Sequence, residues 1–272
     1  MLTAICSAKG SPGVTSLALA VAAWWPGGAT VLEADPTGTD LAYRCRHQSG
    51  REVASAPNLL GLATAVRSSQ LDAPPDPGVL DEHAQPLACG ARLVPGVPAP
   101  SQARGLGSLW GQVAHAAEGS SSDVVADLGR LERTSVTTPL ASAATALVVV
   151  CQPQLESVMH AKDLLAEVAP ALSVRRSGRT VVPVVVGPAR QGAADAVDVD
   201  QILGGLGLPV ARTVPIAYDP SALAGIEAGG NPHGRLARTH LMRSVKHLVS
   251  VLQSLGERES APQSPWEVGP RP

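Results

Sequence analysis

A glycine-bearing turn between two apolar segments is the part of this sequence best suited to bind an anion. Residues 8–16 read AKGSPGVTS, after an apolar run at 2–6 that predicts a strand and before an apolar run at 17–25 that predicts a helix. A loop between a strand and a helix start directs backbone N–H groups and the positive end of the helix dipole to one point. Such loops bind phosphate, and the Thr15 hydroxyl is a ligand for Mg²⁺.

The turn departs from the Walker A phosphate-binding pattern G-x-x-x-x-G-K-S/T at two positions. Gly13 and Thr15 match the pattern. Ala8 replaces its first glycine, and Val14 replaces its lysine. On this pattern alone, an ordinary strand–turn–helix explains the residues as well as a phosphate-binding loop does.

Two aspartates follow other strand-like runs. Asp35 comes directly after residues 29–34, and Asp127 ends a short apolar run with a glycine two residues further on. In open α/β sheets ligands bind beyond the carboxyl ends of the strands. Asp35 is therefore placed to face a ligand at the turn, and Asp127 to hold Mg²⁺ directly or through water. Alternatively, both aspartates are only turn or cap residues.

These segments together resemble the MinD/ParA family of deviant Walker ATPases. The family's loop reads K-G-G-x-G-K-S/T, and residues 9–15 align with it without gaps: Lys9 matches the signature lysine, and Val14 replaces the second one. Residues 33–38, EADPTG, are similar to the family's D-x-D-P-Q-G and keep its second acid. Asp123 and Asp127 match its Walker B segment. The chain has only three lysines, which adds weight to the one at position 9.

The resemblance implies ATP and Mg²⁺ as cofactors and assigns a role to each matched residue. In the family, the acid at Asp35 helps to position the attacking water, and the signature lysine reaches the phosphates held by the other subunit of a face-to-face homodimer. A proline after the last strand, here Pro215, opens a loop against the base. The implied sets are catalytic Asp35 and Lys9, metal-binding Thr15 and Asp127, and nucleotide-binding Lys9, Gly10, Gly13, Val14, Thr15, Ser16 and Pro215.

Three departures from the family weaken the predicted activity. Val14 cannot supply the lysine's charge, and Pro12 has no N–H to donate. A hydrogen bond to a charged group contributes roughly 1.5–3 kcal/mol, so its loss lowers affinity about tenfold to a hundredfold. The strand at 180–186 runs into Gly187 and Pro188, where the family often has an asparagine that reads adenine.

We therefore expect a nucleotide-binding protein whose ATP hydrolysis is slow or absent. It would act as a dimeric positioning or regulatory factor for a partner complex in cell division, partitioning or pilus/secretion machinery; the TadZ/CpaE-like pilus-assembly branch of the family includes divergent loops. The alternative is a pseudo-ATPase that binds no nucleotide and works only through protein–protein contacts.

The order of elements predicts an α/β fold, a doubly wound and mostly parallel sheet flanked by helices. Val-rich runs such as residues 145–151 and 180–186 are typical of buried parallel strands. We expect one domain over residues 1–255, with a last strand at 210–214 and a final helix at 236–255. Residues 68–88 are predicted to be a surface loop, and residues 256–272 a disordered, Pro-rich tail.

Composition limits the function classes. A net charge of −2 over 272 residues argues against a generally nucleic-acid-binding surface. ParA-like proteins bind DNA with basic residues near their C-termini, but we expect Arg235, Arg238, Arg243 and Lys246 to form a solvated helix face. The four cysteines are scattered, which predicts a reduced protein without a metal–thiolate site. Neither a leader nor a membrane span is evident, so we expect a cytoplasmic location.

Overall fold

A computed structural model describes residues 1–10, 12–68, 76–169 and 180–260. In these ranges eight strands form one sheet. The strands are β1 (Leu2–Ser7), β2 (Thr30–Glu33), β3 (Gln85–Pro86), β4 (Arg92–Val94), β5 (Val124–Arg130), β6 (Ala146–Cys151), β7 (Thr180–Gly187) and β8 (Val214–Ala217).

The described α-helices connect these strands. They are α1 (Val14–Trp24), α2 (Leu41–Arg44), α3 (Leu59–Ser68), α4 (Val79–Glu82), α5 (Pro100–Gly105), α6 (Leu109–Glu118), α7 (Thr138–Ala143), α8 (Leu155–Val168), α9 (Gly192–Leu203), α10 (Pro220–Glu227) and α11 (His240–Ser260). Short 3-10 turns lie at Gly204–Leu206 and Arg235–Arg238. None of the helices in the described ranges is both long and apolar enough to cross a membrane.

The sheet has the order β3-β4-β2-β5-β1-β6-β7-β8, and its neighbours are parallel except for the antiparallel pair β3–β4. Helices cover both faces. One core layer contains residues of α3 to α9, and the other contains residues of α1, α2, α10 and α11. Because both faces are covered, the central strands are apolar along their whole length, as in the fully buried β6. The predicted doubly wound α/β fold is confirmed.

The region predicted as a surface loop contains regular structure. Residues 76–88 include the short helix α4 and the two-residue strand β3, while residues 69–75 lie outside the described part. Leu80 is fully buried, and β3 pairs with the edge of β4. Elements of four and two residues are too short to show hydrophobic periodicity, so a loop was the wrong prediction here.

The C-terminal elements are displaced from their predicted bounds. Strand β8 begins where the predicted strand ended, and it contains Pro215, which pairs with Val185 of β7. A proline without an N–H is tolerated there because β8 is an edge strand. Helix α11 starts at His240, after a 3-10 turn, and continues to Ser260. The predicted tail is therefore helical over residues 256–260, and the rest of it lies outside the described residues.

Candidate functional site

The loop between β1 and α1 has the backbone conformation that the sequence led us to expect at a glycine turn. Gly13 is the N-cap of α1, with a φ of 98°. This left-handed conformation is open to glycine and strained for other residues. The Gly13 carbonyl accepts the first helical hydrogen bond, from Leu17 N–H at 2.8 Å. Gly10, Gly13, Thr15 and Ser16 therefore lie together at the start of an 11-residue helix, while Ser11 is outside the described residues.

Val14 is a core residue. It is the first residue of α1, its side chain is only 6% exposed, and it belongs to the apolar layer that includes Ile5 and Leu17. The position that holds a lysine in the Walker pattern thus carries no charge and is stabilised by burial instead.

Lys9 is exposed at the start of the loop. Within the described ranges it forms no ion pair. Its ammonium group is therefore not neutralised by a carboxylate of the described residues.

Asp127 and Thr15 are brought into contact by the pairing of β1 with β5. Asp127 is the middle residue of β5; it lies beside Ile5 of β1 and is 1% exposed. One carboxylate oxygen accepts the Gly129 N–H at 3.0 Å, and the Thr15 side chain hydrogen-bonds the same carboxylate. The two predicted metal-binding residues thus lie together at the loop.

Burial, with smaller contributions from the nearby charges of Asp35 and Glu33, raises the pKa of the Asp127 carboxyl from 3.8 to about 7. The hydrogen bonds from Thr15 and Gly129 oppose this shift. A carboxylate and a hydroxyl are hard oxygen ligands of the kind that Mg²⁺ prefers, and a divalent cation would favour the ionised form that burial disfavours. The pair fits Mg²⁺. Among the described residues no cluster of three His, Cys, Asp or Glu could hold a metal alone, so phosphate and water would complete the coordination.

Asp35 approaches this pair from the end of β2. One of its oxygens accepts the Thr37 N–H at 2.8 Å and the Thr37 hydroxyl at 2.7 Å. Its other oxygen lies against Gly129, where an added Cβ would come within 2.0 Å of it. Gly129 also has a φ of 59°. A side chain there would displace Asp35, so the glycine is required for the two aspartates to meet.

Asp123 does not belong to this site. It precedes β5 at the opposite end of the strand, and its carboxylate accepts the Trp25 indole N–H at 2.7 Å. It therefore anchors the end of α1.

Glu33 organises the chain after β2. Its buried carboxylate accepts Asp40 N–H at 2.8 Å, Leu41 N–H at 2.7 Å and Gly96 N–H at 3.1 Å, together with the Thr39 hydroxyl. These bonds fix the start of α2. No local sequence signal points to this role, since Gly96 is more than sixty positions away.

A cavity of about 460 Å³ opens beside the loop. Its walls come from four residues of the loop and α1, from the ends of β7 and β8, and from the segments that follow β6, β7 and β8; the four residues are Pro12, Gly13, Ser16 and Leu17. The exposed polar groups on these walls include Gln152 and Gln154 after β6, and Tyr218 after β8. They were not predicted, although each follows a recognisable strand. The cavity lies at the carboxyl ends of the strands, where ligands of open α/β sheets bind.

Pro215 does not line this cavity. It lies inside β8 and faces Gly192 of α9, where an added Cβ would lie 2.9 Å from the proline ring. The proline that borders the cavity after β8 is Pro220, the first residue of α10. The predicted loop thus exists, but it begins after Ala217 because the strand is shifted toward the C-terminus.

No protein-family model and no curated protein sequence matches the chain. Its structure is similar to a ParA family ATPase from Chlorobium tepidum, with a TM-score of 0.66, 16% identity, and coverage of 92% of this chain and 97% of that chain. For the MinC:MinD cell division complex from Aquifex aeolicus, the TM-score is 0.62 and the identity 16%, and the match covers 97% of this chain and 98% of that chain. For the septum site-determining protein MinD with Mg-ADP from Pyrococcus horikoshii, the TM-score is 0.63 and the identity 13%, and the match covers 95% of this chain and 98% of that chain. The chain therefore has the MinD/ParA-like P-loop fold.

Proposed function

We propose that this chain binds ATP with Mg²⁺ weakly, hydrolyses it slowly or not at all, and acts in the cytoplasm as a dimeric positioning or regulatory factor. The observation that carries the proposal is the Thr15–Asp127 contact at the start of α1, next to the cavity. It places oxygen ligands for a metal ion beside a helix N-terminus that favours phosphate.

The cavity has the size and position for the nucleoside. Its volume of about 460 Å³ lies within the usual range for small-molecule sites, about 300–1,000 Å³. Pro153 and Pro220 provide apolar surface for a base, and the side-chain amides of Gln152 and Gln154 provide donors and acceptors for its edge. The phosphates would then lie over Gly13, and Mg²⁺ would neutralise part of their charge.

The proposal of slow hydrolysis rests on Val14 and on the closed contact between Thr15 and Asp127. Phosphoryl transfer depends on positioned charges that stabilise the transition state. Residue 14 is apolar and buried, so the loop lacks the cation that would act at the β- and γ-phosphates. Asp35 keeps one oxygen free of Thr37 and near Gly129, where it could orient a water molecule.

The role as a positioning factor rests on the shared fold. One similar structure is a MinC:MinD complex, and another is a septum site-determining protein. We propose by analogy that this chain, too, acts on a protein partner, in division, partitioning or pilus/secretion machinery. We further propose one domain over residues 1–255.

A non-nucleotide-binding scaffold is the second candidate. Two observations favour it: the Thr15 side chain already hydrogen-bonds Asp127, and Val14 is buried in the core, where it needs no ligand. In this case the fold serves only to present surfaces to a partner.

Calorimetric titration with ATP and ADP, with and without Mg²⁺, separates the two candidates. We expect weak binding that requires Mg²⁺ and is lost in a Thr15→Ala, Asp127→Ala double variant whose thermal unfolding shows it to be folded. Phosphate release by the wild type should be no faster than by this variant. Wild-type protein that binds no nucleotide at millimolar concentration would favour the scaffold, and fast turnover abolished by the double change would contradict slow hydrolysis.

A further inference from the structure

Arg44, the last residue of α2, connects the phosphate-binding loop with an element beside the cavity. Its Nη2 donates to the Ser16 hydroxyl oxygen at 3.0 Å and forms an ion pair with Glu227 of α10. Ser16 belongs to the first turn of α1, and α10 also supplies Leu223 to the cavity wall. A guanidinium group is thus in direct contact with Ser16, one of the predicted phosphate-binding residues.

The direction of the Arg44–Ser16 hydrogen bond leaves Ser16 able to act on a ligand. Because the hydroxyl oxygen accepts from Arg44, the Ser16 O–H remains to donate, and Ser16 lines the cavity. An anionic oxygen that accepts this O–H would lie within about 6 Å of Arg44 Nη2. At that distance in a partly enclosed site, a fixed positive charge contributes to anion binding.

Arg44 is held in place before any ligand arrives. Helix α2 has only four residues, but its first turn is bonded to Glu33 and Leu41 is fully buried. At its other end Glu227, with an 18% exposed side chain, orients the guanidinium. The charge is therefore positioned by the fold, and little ordering is required when a ligand binds.

Arg44 contacts the phosphate-binding loop through its hydrogen bond to Ser16, whereas Lys9, the basic residue within the loop, forms no ion pair among the described residues. Val14 is uncharged and buried, and Lys9 is exposed without an ion pair among the described residues. Ser16 faces the cavity, whereas Thr15 bonds Asp127. The phosphate that meets Ser16 is therefore the one nearest the nucleoside.

We propose that Arg44 is a positioning residue for nucleotide binding: it orients the Ser16 hydroxyl toward the α-phosphate of the bound nucleotide, adds a nearby positive charge, and so compensates in part for the absence of a lysine at Val14. Glu227 is its counter-ion, orienting the guanidinium in the free protein and competing with the phosphate for it. This inference rests on the proposed nucleotide-binding function.

A purely structural bridge between α2 and α10 makes a different prediction. If the ion pair only joins the two helices, removing either partner has the same effect: the protein is less stable, and nucleotide affinity changes equally for both variants. If Arg44 acts on the phosphate, the two variants differ in nucleotide affinity: Arg44→Ala removes the cation and weakens binding, whereas Glu227→Gln removes its competitor and does not weaken binding.

The test is calorimetric titration of the full chain with Mg-ADP and Mg-ATP. We expect Arg44→Ala to weaken both nucleotides at least about tenfold and by a similar factor, since both carry the α-phosphate. Arg44→Lys should weaken the binding of both nucleotides less, because lysine keeps the positive charge and loses only the planar array of guanidinium donors. Glu227→Gln should bind as tightly as the wild type or more tightly.

Arg92→Ala is the matched control. Arg92 pairs with Asp81 near the β3 edge of the sheet, and the side-chain exposures of that pair, 37% and 25%, are close to those of Arg44 and Glu227, 33% and 18%. Its affinity should equal that of the wild type. Unchanged binding in Arg44→Ala, an equal loss in Glu227→Gln, or a loss for ATP only would overturn this inference alone. Absence of binding by the wild type would overturn the proposed function itself.

Discussion

The Asp127 carboxyl group is stabilised in its protonated form by the folded protein. Its pKa is about 7 when folded and 3.8 when not perturbed, so between these pH values the folded state binds more protons than the unfolded state. The contribution of Asp127 to the free energy of unfolding of the ligand-free protein therefore decreases as pH rises from about 4 to 7.

Asp127→Asn should remove this part of the pH dependence. Relative to the wild type, we expect the variant to gain on the order of 2 kcal/mol in unfolding free energy between pH 5 and pH 8, measured by urea denaturation at both pH values. Asp163→Asn, which changes an exposed carboxylate on α8, serves as the control and should show no such gain. If the difference in unfolding free energy between the wild type and Asp127→Asn is the same at both pH values, Asp127 is ionised over this whole pH range.

Val14→Lys tests the missing loop cation. The new side chain starts in the apolar layer, but its ammonium can extend along the helix start toward the loop. We expect tighter Mg-ATP binding by calorimetry and a loss of about 1–2 kcal/mol in stability from the disturbed packing. Val14→Met has a similar length without the charge and should show the stability loss alone. Equal affinities of the two variants would mean that the loop cannot direct a cation to the phosphates.

At the scale of elements, the single carboxylate of Glu33 holds the segment between β2 and α2. It is 1% exposed and accepts four hydrogen bonds, three of them from backbone N–H groups. Buried donors that lose their acceptor destabilise a protein by about 1–3 kcal/mol each. The position of α2, and with it that of Arg44, therefore depends on this residue.

Glu33→Ala should lower the free energy of unfolding by about 3 kcal/mol, measured by urea denaturation. The amides of Asp40 and Leu41 should also exchange with solvent faster than in the wild type. Glu33→Gln keeps an acceptor oxygen, so a smaller loss is expected from this control. If Glu33→Ala leaves amide exchange of α2 unchanged, the helix is held by the burial of Leu41 instead.

At the scale of the whole molecule, we propose that Lys9 acts across the interface of a homodimer. It is exposed at the start of the loop. In a face-to-face homodimer, two such lysines repel each other unless an anion lies between them. Nucleotide phosphates, or else Asp35 or Asp127 of the partner, would supply that anion.

Light scattering of wild type and Lys9→Ala, each with and without Mg-ATP, tests this arrangement. We expect a dimer of the wild type that is weakened by Lys9→Ala. Lys246→Ala, which removes an exposed lysine of α11, should dimerise like the wild type. A monomer under every condition, or a dimer indifferent to Lys9, would refute the role across subunits.

The sequence by itself determined the order of the longer elements and the parts of the site that are local in the chain. These local signals are the glycine at the start of α1, the apolar runs of four to eight residues, and the aspartates that follow apolar runs. Each depends on residues only a few positions apart, so it can be recognised without knowledge of the fold. Parallel pairing then follows from the alternation of strands and helices, and it brings Asp35, Asp127 and Thr15 to one edge of the sheet.

The tertiary structure alone decided the features that depend on distant parts of the chain. Four such features could be recognised only once the packing was known. They are the burial of Val14, the location of Pro215 inside an edge strand, the bond between Glu33 and Gly96, and the contacts of Arg44 with Ser16 and Glu227. The physical reason is that periodicity and turn preference report on neighbours in sequence, whereas a side chain's charge partner is set by which helices the sheet brings together.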